Sequence, residues 1–160
     1  MGALKFSIVN IDSFGEKFTG TLPVSFAELS DNDTVKLSGD ISYELHISAV
    51  SGGILVKGSI AAKGRSICGR CLEPCSFEVD NRDICHFIED TESGELDLSE
   101  EIREDLILVL PFNPLCSDAC EGLCSSCGEK LKDGVCVCGE SVEDESPWDA
   151  LDNLNLEDKD

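Results

Sequence analysis

The chain has 160 residues, 41% of them hydrophobic, and its 33 acidic residues against 12 Lys and Arg give a formal net charge of −21 at pH 7. That length buries one core with room for a small appended module, and the apolar content excludes wholesale disorder. A spanning helix needs about 18 consecutive apolar residues, and none is present, so no transmembrane segment is expected. The start, Met1 to Asp12, has no apolar block followed by a small-residue cleavage site, so no signal peptide is expected. A cytoplasmic protein with reduced thiols follows as the expectation, which favours metal over disulfides for its cysteines.

A uniformly acidic surface would repel RNA, DNA and anionic lipid. The charge here is uneven. Between Glu44 and Glu73 there is no Asp or Glu, whereas Lys57, Lys63, Arg65, Arg70 and His46 lie in that interval. The acid is concentrated in Glu89 to Asp105 and in Glu140 to Asp160. Net charge therefore does not exclude a nucleic-acid partner.

In chain order, Leu4, Phe6 and Ile8 alternate loosely with polar neighbours and suit an edge strand. Phe18 to Phe26 is strand-like but interrupted by Pro23, which argues for an edge or a bulge. After turn chemistry at Asp31-Asn-Asp come Val35 to Asp40 and then Ile41 to Val50, where Ile41, Tyr43, Leu45 and Ile47 share one face. Ser51-Gly52-Gly53 predicts a hairpin, with Ile54 to Ile67 running back. Ser76 to Asp80 and Ile84 to Ile88 read as two further strands about a turn at Asn81-Arg-Asp. These form an antiparallel β body of about five to seven strands. One helix follows: Asp97-Leu-Ser-Glu100 has the spacing of a capping box, Ile102, Leu106 and Val109 form an apolar stripe, and Pro111 ends it. The fold class expected is α+β, a mainly antiparallel β body with one packed helix and a C-terminal four-cysteine, zinc-ribbon-like module. The divisions expected are 1–112 for the body, 113–140 for the cysteine-rich module and 141–160 for an acidic tail.

Six of the ten cysteines fall between Cys116 and Cys138. Cys124-x2-Cys127-Gly and Cys136-x-Cys138-Gly are two knuckles, each followed by a glycine that permits positive φ, joined through an Asp133-Gly134 turn. A short hairpin of this kind brings four sulfurs to about 2.3 Å from one Zn2+. Cys68-Gly-Arg-Cys71 and Cys116-x3-Cys120 are each half a tetrahedron. Together they would close a second site; alternatively, Cys68 and Cys71 form a redox dithiol assisted by Arg70. One or two zinc ions are thus expected. Cys120-x3-Cys124-x2-Cys127 also has the spacing of a radical S-adenosylmethionine cluster, but no run of βα units follows it. Cys75 and Cys85 lack partner spacing and read as small core residues.

His46 and His86 read as ordinary residues, and no phosphate loop, nucleophile elbow or His-Glu-x-x-His motif is present. Lys57, Lys63, Arg65 and Arg70 are candidates for contact with nucleic acid or a partner, and Trp148, Leu151 and Leu154 for a docking tail.

Three segments resemble one family. Cys68-Gly-Arg-Cys71-Leu-Glu-Pro74 is similar to the Cys-x-Arg-Cys-Leu-Glu-Pro signature of the YceD family of large ribosomal RNA accumulation proteins. Glu101 to Cys116 resembles that family's helix-to-proline segment, and Cys120 to Gly128 with Cys136-Val-Cys138 resembles its cysteine-rich end. The resemblance implies a bacterial or organelle-derived cytoplasmic protein needed for normal levels of large-subunit ribosomal RNA, with no known catalytic activity. The function expected is a non-enzymatic ribosome biogenesis factor. Its partner is ribosomal RNA or a basic large-subunit ribosomal protein, with neither a membrane nor a small-molecule substrate. The alternative is a cytoplasmic zinc or thiol redox sensor.

Overall fold

The structure is a computed structural model describing residues 4–30, 34–89, 94–131, 136 and 138. It divides into two compact units, Met1–Cys120 and Glu121–Asp160.

The first unit is built on a four-stranded antiparallel meander in the order β2 (Glu16–Leu22), β3 (Lys36–Val50), β4 (Gly53–Ile67) and β5 (Pro74–Glu89). Period-two alternation orients each strand. Ile41, Leu45, Ile47, Ile54, Val56, Ile60, Ala62, Val79 and Ile84 point inward and are buried. The β3–β4 hairpin turns at Ser51-Gly52, with Val50 opposite Gly53, and Gly52 takes φ +88°, a conformation that favours glycine. Pro23 ends β2 at Leu22, because a proline cannot continue the ladder, and a 3-10 turn at Val24–Ala27 buries Phe26 instead.

Two expected breaks are absorbed within strands. The Val35–Asp40 and Ile41–Val50 runs form the single strand β3, whose pairing shifts between Ser38 and Ser42 around Gly39 at φ +73°. The turn expected at Asn81-Arg-Asp is instead a local irregularity within β5. There the register against β4 shifts between Gly58 and Ile60, and Asn81 Oδ1 accepts from the Asp83 N–H at 3.0 Å.

The inner face is closed by α1 (Ser99–Val109), whose Ile102 and Leu106, with Leu98 before them, are fully buried. A short ribbon of β1 (Lys5–Ser7) and β6 (Glu95–Asp97) adds Leu4, Phe6 and Leu96, with the Phe6 ring 4.8 Å from that of Phe18. The start of α1 differs from a capping box. Asp97 Oδ1 accepts from the Ser99 N–H at 3.0 Å and from its hydroxyl at 2.6 Å, while the Ser99 hydroxyl also receives the Leu4 N–H at 2.8 Å. The entry to the helix is thus tied to β1. Glu100 turns instead to Arg103, at 3.0 Å.

The outer face of the sheet carries none of these elements. It presents Lys17, Thr19 and Thr21 on β2, Lys36, Ser42, Glu44 and His46 on β3, Lys57, Lys63 and Arg65 on β4, and Ser76, Glu78, Asp80 and Cys85 on β5.

Candidate metal centres and the basic sheet face

The loop joining β4 to β5 is the cysteine knuckle Cys68–Glu73, entered from Ile67, which stands opposite Pro74. The Cys68 N–H donates to Glu73 O at 2.8 Å and the Leu72 N–H to Cys68 O at 3.0 Å, turning the chain tightly around the Cys68 sulfur. After α1, the strap Pro111 to Cys120 meets this loop: the Gly69 N–H donates to Pro114 O at 2.9 Å. A Cβ at position 69 would meet the exposed side-chain amide of Asn113, which would have to swing aside. Arg70 completes the clamp, its Nη1 donating to Asp118 O at 3.1 Å and to Cys120 O at 2.7 Å.

This docking gathers Cys68, Cys71, Cys116 and Cys120, whose sulfurs all lie within 4.8 Å of one another. The Cys68 and Cys120 sulfurs are 3.8 Å apart and those of Cys71 and Cys116 are 3.6 Å apart. A tetrahedron with metal–sulfur bonds of about 2.3 Å has edges of about 3.8 Å, so the donor set suits a tetrahedral ion held by four thiolates. All four cysteines are free thiols. The backbone N–H groups of Cys71, Cys116 and Arg70 converge on Cys68 and bring its thiol down to about 6. The opposite holds for Cys116, pushed up to about 12 by its sulfur contacts with Cys120 and Cys71 and by burial. The protein frame thus favours the thiolate at Cys68, while Cys71 and Cys116 are shifted upward.

In the second unit, Cys124, Cys127, Cys136 and Cys138 likewise bring their sulfurs within 4.8 Å of one another. The Cys124–Cys138, Cys127–Cys136 and Cys136–Cys138 separations are 3.8, 3.2 and 3.1 Å. Its knuckle has the same frame as the first: the Cys124 N–H donates to Glu129 O at 2.8 Å and the Gly128 N–H to Cys124 O at 2.9 Å. Backbone N–H groups of Cys127 and Ser126 lower the Cys124 thiol to about 6. Cys127 and Cys138 are exposed, whereas Cys68, Cys71 and Cys120 of the first cluster are buried. Either cluster could hold a metal ion.

The candidate contact residues separate. Lys57, Lys63 and Arg65 lie together on the outer face of β4, but Lys63 pairs with Glu78 at 2.7 Å. Arg70 points into the strap and is committed to its carbonyls. Lys36 joins the face as the direct cross-strand partner of Arg65, and Lys17, His46, Lys57 and Cys85 form one row across four strands. This register could not be read along the chain. Glu44, His46, Lys57, Arg82, Asp83 and Cys85 line a shallow depression of about 550 Å3 there. Cys75 is buried, as expected, but Cys85 is exposed, because the irregularity in β5 turns it outward. His86 Nε2 lies 2.6 Å from Asp105 Oδ2 and joins β5 to α1, a pairing no local pattern signals. Trp148, Leu151 and Leu154 lie outside the described residues.

An antiparallel sheet stapled at one end by clustered thiols, with a second thiol cluster after it, defines a cysteine-scaffolded α+β protein whose clusters could bind metal. Residues 56–155 match the family described as "Large ribosomal RNA subunit accumulation protein YceD", and the chain belongs to that family. An uncharacterized protein of Mycobacterium tuberculosis is 32% identical over 106 residues, covering 57% of this chain and 51% of that protein. Another from Mycobacterium leprae is 28% identical over 133 residues, covering 71% and 58% of the two chains. The chloroplastic "Large ribosomal RNA subunit accumulation protein YCED homolog 1" of Arabidopsis thaliana is 34% identical over 76 residues, 48% of this chain and 23% of its own. The chain spans about half the length of the mycobacterial relatives it matches. No solved structure matches it at a significant level. No helix among the described residues is long and apolar enough to cross a membrane.

Proposed function

We propose that the protein is a non-enzymatic, cytoplasmic factor of bacterial ribosome biogenesis. It supports accumulation of large-subunit ribosomal RNA by contacting RNA phosphates through the outer face of its sheet. Zinc held by Cys68, Cys71, Cys116 and Cys120, and by Cys124, Cys127, Cys136 and Cys138, has a structural role. Family membership supports the ribosomal assignment. One observation carries the choice of RNA. Lys36, Lys57 and Arg65 make no ion pair among the described residues, although the chain has 33 acids, and all three share one sheet face. Lys36 and Arg65 stand directly opposite each other, an arrangement that costs a few tenths of a kcal/mol or more unless an anion lies between them. Small hydroxyl residues around them, Ser38, Ser42 and Ser76, leave room for a phosphate backbone to approach.

The test is binding of fragments of large-subunit ribosomal RNA by the zinc-loaded chain at several salt concentrations. Changing Lys36, Lys57 and Arg65 to Gln should weaken binding at every fragment sequence. It should also reduce the slope of log affinity against log salt by about 2, at roughly 0.7 per single-strand phosphate contact. An unchanged slope, or salt-dependent binding to a basic ribosomal protein with none to RNA, would overturn this reading.

A further inference from the structure

The two thiol clusters share a backbone frame but not their surroundings. In the first, Cys68, Cys71 and Cys120 are buried, and the strap that carries Cys116 and Cys120 is fastened by the Gly69–Pro114 hydrogen bond and by Arg70. Cys116 is its one exposed member, and its sulfur stands 3.6 Å from that of buried Cys71. In the second, Cys127 and Cys138 are exposed, and Cys124 and Cys136 are half-buried. The Cys127 and Cys136 sulfurs are 3.2 Å apart, well inside the edge of about 3.8 Å of a tetrahedron of thiolates around one ion.

The second unit also has little else to hold its cysteines in place. Among its described residues, no side chain belongs to the hydrophobic core. The hydrogen bonds of its knuckle are extended by one from the Leu131 N–H to Gly122 O at 3.0 Å, across the Leu123–Lys130 bridge. A module of this size without apolar packing depends on a cross-link for its fold, and its four gathered sulfurs are where one forms.

We propose that Cys127 and Cys136 are a peroxide-sensitive thiol pair, whose oxidation to a disulfide takes two of the four sulfurs out of the second cluster and leaves the first cluster reduced. The exposed Cys127 sulfur attacks one oxygen of hydrogen peroxide, giving a sulfenic acid and one water. The Cys136 sulfur then displaces the hydroxyl from the Cys127 sulfur, giving the disulfide and a second water. Two thiols and one peroxide thus yield one disulfide and two waters, with two electrons passing from sulfur to oxygen. Cys124 and Cys138 are left without a four-sulfur set, and the unit has no apolar packing among its described residues to keep them in position. In the first cluster, Cys71 and Cys116 would have to close from 3.6 Å to about 2.05 Å against a fastened strap, which disfavours the same reaction there. The inference rests on the zinc reading only for its metal readout; formation of the disulfide does not need it.

The experiment exposes the zinc-loaded full chain to about ten equivalents of hydrogen peroxide. Zinc release is followed with a chromogenic chelator, disulfides are assigned by peptide mass mapping after alkylation, and backbone amide resonances are recorded. One zinc ion per chain should leave at least tenfold faster than the other. Mapping should join Cys127 to Cys136, and the resonances of Gly122 to Glu129 should shift while those of the sheet stay in place. A thiol reductant with added zinc should restore the starting spectrum. In Cys136→Ser, dimedone should label Cys127 as the sulfenic acid at least fivefold more than in the parent, a readout that holds even without metal in that variant. Oxidation of both clusters at one rate would overturn the proposal, as would Cys136 joined to Cys138, or both clusters unchanged by peroxide. A chain that binds no zinc yet still joins Cys127 to Cys136 would overturn the zinc reading and support this one.

Discussion

Arg70 discriminates between a cation that meets RNA and one that holds a metal site together. Its guanidinium donates to Asp118 O at 3.1 Å and to Cys120 O at 2.7 Å, two carbonyls of the strap that delivers Cys116 and Cys120 to the cluster. Hydrogen bonds from a charged donor contribute about 1.5–3 kcal/mol each when well made. The Asp118 contact is exposed and the Cys120 contact only partly buried. The lower end therefore applies, and the pair is worth about 2–3 kcal/mol. Arg70→Gln keeps a polar side chain but loses the charge and the fork. If the loss falls on the geometry of the strap, the first cluster binds zinc about 30- to 100-fold more weakly, since each 1.4 kcal/mol is tenfold. Competition with a chromogenic chelator at pH 7 should show one of two zinc ions released at lower chelator concentration, with the second unit's cluster as internal reference. RNA affinity and its salt slope should stay at the parent values. A variant that keeps both zinc affinities and loses about one phosphate contact would refute the clamp.

Two further outcomes follow from the same geometry. Metal analysis should find two zinc ions per chain. Replacing Cys124 and Cys127 with Ser should remove one and leave the melting of the sheet nearly unchanged, whereas Cys68 and Cys71 replaced by Ser should lower it, since that cluster closes the β4–β5 loop. Asp97→Ala should destabilise the first unit by about 1 kcal/mol in denaturant melts, by loss of the contact that starts α1. The Asp97 carboxyl is held below its ordinary value, chiefly by the Ser99 hydroxyl and N–H and further by Lys5. A depressed folded pKa contributes stability above the unfolded value near 4, which is lost as pH falls through the folded one. The difference between parent and variant should therefore shrink below about pH 4. A constant difference down to pH 2 would argue against the carboxylate as the origin.

Local pattern was sufficient for much of the molecule. Period-two alternation in Ile41 to Ile47 located the inner face of β3, Ser51-Gly52 marked its hairpin, and the stripe of Ile102 and Leu106 located the only α-helix among the described residues. These signals are local because strand and helix periodicities are properties of a few consecutive residues. Segment ends were less legible. Asn81 and Gly39 have turn chemistry, yet pairing with β4 carries the strands through both positions as irregularities.

Of the candidate metal centres, cysteine spacing alone determined two knuckles and two orphan half-sites. That Cys68 and Cys71 meet Cys116 and Cys120 was decided by tertiary structure, because the meander leaves the β4–β5 loop where the strap from α1 arrives. Arg70 and Lys63 looked equivalent to Lys57 and Arg65 as members of one acid-free stretch. Tertiary structure separated them: cross-strand register gives Lys63 to Glu78 and sets Lys36 beside Arg65, and docking of the strap takes Arg70. Charge along a chain is a property of sequence. Whether a charge is spent within the fold or left for a partner depends on what the neighbouring strands place opposite it.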